Sequence, residues 1–167
     1  MKITTSGRYA IRAMVDLAIH DQNGPVSRND IAERQEISGD YIAQLFRRLG
    51  QHGLIKSVMG PGGGYLLGKA AREITLKEIL VAVEGPLGLV ACVLPGGEMV
   101  CKRSASCVTR RVWIKLTASL EGFLASITLQ DLAEQAKQEV AHLGGACSPV
   151  LEAFTDSLGG SCSNQMS

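Results

Sequence analysis

A chain of 167 residues with 17 basic and 16 acidic side chains carries a formal net charge of +1, and 46% of it is apolar. That apolar share excludes a disordered chain and leaves room for one compact domain, or one domain with a dimerisation arm. No apolar run reaches the roughly 18 residues of a spanning helix. Arginines within MKITTSGRYAIRAM stand where a secretory signal needs its apolar stretch, so a cytoplasmic location with no membrane partner is expected.

The spacing of Ala10, Met14, Leu17 and Ala18 predicts a first helix over about Ser6 to His20, its stripe widened by Ile11, Val15 and Ile19. Asn23-Gly24-Pro25 breaks the chain, and Ser27 with Asp30 opens a short second helix, Arg28 to Gln35. Ser38 is a good N-cap for a third helix to Gln51, with Ile42, Leu45, Phe46 and Leu49 inward. Leu54 to Val58 then reads as a strand, Gly60 to Gly64 as a turn, and Tyr65-Leu66-Leu67 as the returning strand. Thr75 and Glu78 start a fourth helix to about Val83. A segment rich in Gly, Pro, Cys and Ser follows, and the longest helical pattern runs from Val108 to Ser126, with Val112, Leu116, Leu120, Phe123 and Leu124 on one stripe. Thr128 and Asp131 begin a last helix, Leu129 to about Leu143.

Helix, short helix, turn, amphipathic helix and glycine-tipped hairpin is the order of a winged helix-turn-helix. The expected fold is therefore mainly α: a winged helix-turn-helix DNA-binding domain with a long C-terminal dimerisation helix. Its expected parts are a DNA-binding region over 1–83, a cysteine-containing loop over 84–107, the dimerisation helix and its successor over 108–143, and a flexible tail over 144–167.

Residues 1–60 carry eight basic against six acidic side chains, an excess of +2 that does not by itself establish nucleic-acid binding. Placement carries the argument instead. Near the start of the third helix stand Ser38, Asp40, Tyr41 and Gln44, side chains able to reach base edges, and Arg47 and Arg48 follow in place for phosphates. An ordinary solvated face would have a similar composition; the hairpin downstream favours DNA. Its tip, Gly60-Pro61-Gly62-Gly63, suits close approach to a phosphate backbone, with Met59 at its shoulder where a minor-groove reader would carry arginine. A nucleotide-binding loop would end in Gly-Lys-Ser/Thr before a helix, and here a strand follows.

Cys92, Cys101 and Cys107 supply three thiols in a glycine-rich segment before the long helix, with Lys102, Arg103, Arg110 and Arg111 nearby to favour thiolates. Iron–sulfur clusters take such ligands, and the spacing lacks the paired short-gap cysteines of zinc sites. Buried structural thiols and a redox disulfide are the alternatives. A fourth ligand would come from His20, His52 or His142; Cys147 and Cys162 lie in the weakly patterned tail. A cysteine enzyme lacks an evident base beside Cys107, so no catalytic activity is expected.

Four stretches together resemble the IscR-type iron–sulfur transcription regulators, a group that also includes NsrR-type proteins. They are Gly7 to Ala10, Ile31 to Ser38, Gln44 to Leu49 and Gly60 to Leu67. The likeness continues through the cysteines, Trp113, Gly122-Phe123-Leu124 and Ile127 to Leu132, covering roughly residues 1–135. The resemblance implies a homodimer crossing at the long helix and double-stranded operator DNA read by two symmetric third helices. It also implies a cluster on Cys92, Cys101 and Cys107, 2Fe–2S in preference to 4Fe–4S, reporting iron–sulfur supply, oxidants or nitric oxide. A cluster-free regulator of the same fold, answering thiol oxidation or a small metabolite, is the alternative. This chain departs from the pattern at Arg110, where relatives carry histidine, at Arg8, where some carry an acid, and at Ala43, where glutamate is common; its first two cysteines are also further apart.

Overall fold

The computed structural model describes residues 4–95 and 101–142. The expected flexible tail, with Cys147 and Cys162, lies outside the described residues. The chain divides into two compact units, Met1–Ala133 and Glu134–Ser167, and the described part of the second is the end of the last helix.

Six helices and one hairpin are present among the described residues: α1 (Thr5–His20), α2 (Arg28–Gln35), α3 (Gly39–Gln51), β1 (Ile55–Val58), β2 (Gly64–Leu67), α4 (Leu76–Glu84), α5 (Val108–Ser126) and α6 (Leu129–His142). Five of these helices start where an oxygen-bearing side chain satisfies an N–H that the helix leaves free. Thr4 accepts from the Ser6 N–H, Ser27 from Asp30, Ser38 from Tyr41 and Thr75 from Glu78. At Thr75 the Glu78 carboxylate returns the bond to the Thr75 N–H at 2.9 Å, a complete capping box. Thr128 and Asp131 make the same exchange before α6.

The core gathers Ala10, Met14 and Leu17 of α1, Ile31 of α2, Ile42, Leu45, Phe46 and Leu49 of α3, and Ile79 of α4. α1 and α2 are clamped by a polar cluster around the buried Asp16. Asp16, 3% exposed, accepts both arms of the Arg34 guanidinium at 2.9 and 2.7 Å and the Gln35 amide at 3.1 Å. Arg12 in turn donates to the Gln35 carbonyl at 2.6 Å. Between α2 and α3 the chain turns on Glu36 at φ +54°, a left-handed conformation that usually favours glycine.

β1 and β2 pair antiparallel, Ile55 opposite Leu67 and Val58 opposite Gly64. A bridge invisible to hydrophobic patterning joins the hairpin to the chain before α2: Val26 and Tyr65 exchange both backbone bonds at 2.9 Å. A side chain at Gly64 would collide with the Val26 carbonyl, so the close approach needs glycine. Tyr65 also meets Phe46 of α3 edge-on, with centroids 4.6 Å apart. A second bridge, Thr75 to Thr128, sets the starts of α4 and α6 side by side.

α5 differs from the other helices. Only Thr117 and Leu124 are buried on it, whereas the stripe of Val112, Leu116 and Phe123 is exposed, Phe123 by 62%. No helix among the described residues is long and apolar enough to cross a membrane.

Candidate nucleic-acid interface and cysteine segment

α3 turns one face into the core and leaves the other free beside the hairpin. Gln44 and Arg47 stand exposed on that outer face, with Ala43 half-buried one turn before Arg47. Asp40 projects from the first turn, its side chain 94% exposed and 3.8 Å from the Arg28 guanidinium of α2. Ser38 spends its hydroxyl on the cap of α3. Asp40, Ala43 and Gln44 occupy the N-terminal half of the helix, the part that reaches base edges in a major groove, and Arg47 follows in the C-terminal half.

Two of the expected contacts also bond to neighbouring helices. The Tyr41 hydroxyl lies 2.6 Å from the Ser6 hydroxyl of α1, and its ring meets Tyr9 edge-on. Arg48 donates to the Val83 carbonyl at the end of α4, at 3.0 Å. That carbonyl is one of those a helix C-terminus leaves without an internal partner, and a cation there is favoured by the helix dipole. Tyr41, half-buried, and Arg48, still exposed, tie α3 to α1 and α4.

A groove of about 700 Å³ runs between α3 and the hairpin, lined by Ala43, Arg47, Gly50, Gln51, Lys56, Ser57 and the Phe46–Tyr65 pair. Sequence reasoning passed over Gln51, Lys56 and Ser57. Pairing of β1 with β2 beside α3 puts them there, and only strand alternation after Ile55 hinted at an outward Lys56. At the hairpin tip, Gly60 and Gly62 take positive φ and the Gly63 N–H closes the turn on the Gly60 carbonyl at 2.9 Å. Gly60, Pro61 and Gly62 are exposed, and Gly63 is half-buried where a side chain would strike the Val58 carbonyl. Met59 is 96% exposed, an apolar side chain in the place of the expected cation.

The cysteine segment leaves α4 at Gly85, φ +86°, and is pinned by Leu87, buried against Leu80 and Leu124. Cys92 lies in a 3₁₀ turn, Ala91–Val93, whose Cys92 carbonyl accepts from Arg110 Nε of α5 at 3.1 Å. Arg110 thus holds the backbone of a cysteine from the position where histidine was expected. Cys107 is the residue before α5, its thiol 3.1 Å from the Thr109 hydroxyl. That hydroxyl, the Arg110 N–H, the Thr109 N–H and the Arg103 charge together hold the pKa of the thiol below its ordinary value, against the opposing effect of burial. Cys92, Cys101 and Cys107 are all half-buried free thiols. Among the described residues no group of three His, Cys, Asp or Glu side chains is drawn together as a metal site. The donor chemistry nevertheless fits an iron–sulfur cluster in kind: unpaired thiols, one biased toward thiolate, beside guanidinium groups that offset negative charge.

A family model described as iron-dependent transcriptional regulator, Rrf2, matches residues 3–135. The chain is similar to the HTH-type transcriptional regulator IscR of Photorhabdus laumondii, 46% identical over 145 residues, spanning 87% of this chain and 85% of that protein. It is 45% identical over 145 residues to IscR of Escherichia coli O9:H4, with 87% and 86% covered. Among solved structures, T. potens IscR superposes with a TM-score of 0.67 at 36% identity, covering 90% of this chain and 96% of that one. CymR (YrzC), the global cysteine regulator of B. subtilis, gives 0.66 at 36% identity, covering 81% and 98%. The fold is the winged helix-turn-helix of these regulators, and the relatives regulate transcription rather than catalyse reactions.

Proposed function

The chain belongs to the Rrf2 family of iron-dependent transcriptional regulators and is a DNA-binding regulator of transcription; from this premise we propose that it acts in the cytoplasm as a homodimer whose operator affinity is set by an iron–sulfur cluster on Cys92, Cys101 and Cys107. The observation that carries the DNA-facing half of this reading is the outer face of α3 with its adjoining groove. Gln44 can bond an adenine edge through two hydrogen bonds, Asp40 can accept from cytosine, and Arg47 with the hairpin tip Gly60 to Gly63 lies against phosphates. Support for the dimer comes from the exposed apolar stripe of α5, which a second copy of the same helix would cover.

Three cysteines leave one coordination position, and Arg110 is no ordinary ligand because its guanidinium stays protonated. A bound cluster, 2Fe–2S in preference to 4Fe–4S, would give the segment a charge and a constraint that change with iron supply or oxidation. Linkage does the rest: the state that favours the DNA-competent dimer must bind DNA more tightly. Anaerobically purified protein is expected to be coloured, to contain iron and sulfide, and to lose both in Cys92→Ala, Cys101→Ala or Cys107→Ala. Colourless protein without iron after anaerobic reconstitution overturns the cluster.

The lowered Cys107 thiol favours one second reading, a cluster-free regulator answering thiol oxidation. Operator affinity would then shift with peroxide while iron content stayed negligible.

A further inference from the structure

The end of α4 is bonded to both ends of the recognition helix, one side directly and the other through α1. One Glu84 carboxylate oxygen accepts three hydrogen bonds at the start of α1: from the Thr4 N–H and hydroxyl at 2.9 Å each, and from the Gly7 N–H at 3.1 Å. These N–H groups have no partner inside their own helix, and a carboxylate is favoured at the positive end of its dipole. A side chain at Gly7 would collide with this same Glu84 oxygen, so the absence of a Cβ permits the contact. Between Thr4 and Gly7 stands Ser6, whose hydroxyl is 2.6 Å from that of Tyr41 in the first turn of α3. At the other end of α3, Arg48 reaches the Val83 carbonyl. Val83 and Glu84 are neighbours, and the cysteine segment begins at the next residue.

We propose that Glu84 is a positioning residue for the recognition helix, transmitting the posture of the cysteine segment to α3 through the first turn of α1 while Val83 holds the far end through Arg48. The proposal rests on the reading of the segment as the sensing element. Leu87 keeps the lead-in short and stiff, since it is buried against Leu80 of α4 and Leu124 of α5. A displacement at Cys92 therefore reaches Glu84 through a few fixed residues instead of being absorbed. Moving Glu84 releases the Thr4 and Gly7 N–H groups, shifts Ser6, and frees the Tyr41 hydroxyl. The reading face of α3 then samples a wider range of poses.

Such a role lowers discrimination more than gross affinity, because phosphate contacts tolerate a loose helix and base contacts do not. The test uses the full chain and a palindromic duplex selected by the wild type from a randomised pool, with a scrambled duplex as control. Glu84→Ala is expected to lose roughly tenfold in affinity for the selected duplex, about the value of one charge-assisted hydrogen bond, with scrambled-duplex affinity unchanged. Glu84→Gln, which keeps an accepting oxygen, recovers most of the loss, and Gly7→Ala reproduces it. Ser6→Ala cuts the same path further on, so Glu84→Ala with Ser6→Ala is no worse than the larger single loss. Additive losses, losses shared equally by both duplexes, or no loss in Glu84→Ala overturn the proposal. Should wild-type affinity ignore iron while Glu84 and Ser6 still couple, the cluster reading fails and the tie between α4 and α3 stands.

Discussion

Under the proposed reading of α3 and its groove, Gln44 and Lys56 carry different kinds of information to a duplex. Lys56, on β1 at the edge of the groove, offers a flexible point charge suited to a phosphate. Lys56→Ala is therefore expected to weaken binding to every sequence alike and to lower the slope of log affinity against log salt by about 0.9. Gln44→Ala instead costs about 1–3 kcal/mol of discrimination at one base pair and leaves the salt slope in place. Fluorescence anisotropy with selected and scrambled duplexes at several salt concentrations separates the two outcomes. Which side chains stand on the outer face of α3 was legible from its helical spacing for Gln44 and Arg47, whose neighbours Leu45 and Phe46 are buried. The partners of Tyr41 and Arg48 were not legible. A helical wheel gives the face a residue occupies but not where a long side chain bends, and both bend back to partners 35 residues away.

Helix starts were readable because capping is local chemistry. Ser27, Ser38, Thr75 and Thr128 each pair with a group three residues on, and all four helices begin within a residue of that signal. The clamp between α1 and α2 follows no local rule. Asp16 and Arg34 lie 18 residues apart, and one sequence holds no record of which acid meets which base. The pair has consequences for stability, since removing one partner strands a carboxylate that is 3% exposed. Arg34→Met is expected to cost roughly 2–4 kcal/mol, the lower part of that range being set by the partial exposure of the arginine and by Gln35 remaining on Asp16. Urea denaturation measures it, and a loss below about 0.5 kcal/mol would mean that the clamp contributes little. Because α2 braces the turn into α3, the variant also loosens the recognition helix.

At the scale of the molecule, α5 is the helix on which the proposed dimer is tested. Among the described residues nothing covers its apolar stripe of Val112, Leu116 and Phe123, the face the proposed homodimer would bury. Leu116→Glu, at the middle of the exposed stripe, is expected to convert a dimer to monomers by sedimentation equilibrium while the thermal transition of the winged-helix region stays in place. A variant that remains dimeric would move the interface off α5. A monomer would also lose operator affinity, because each half-site then binds alone and the gain from tethering two sites disappears.

The measurement that bears most directly on the central claim is a salt-resolved titration of the selected palindromic duplex. It compares iron-loaded chain, iron-stripped chain and Cys92→Ala. The account predicts binding that falls steeply with salt in all three, with the loaded chain differing in affinity from the stripped chain and Cys92→Ala matching the stripped one. Three coincident curves would contradict it.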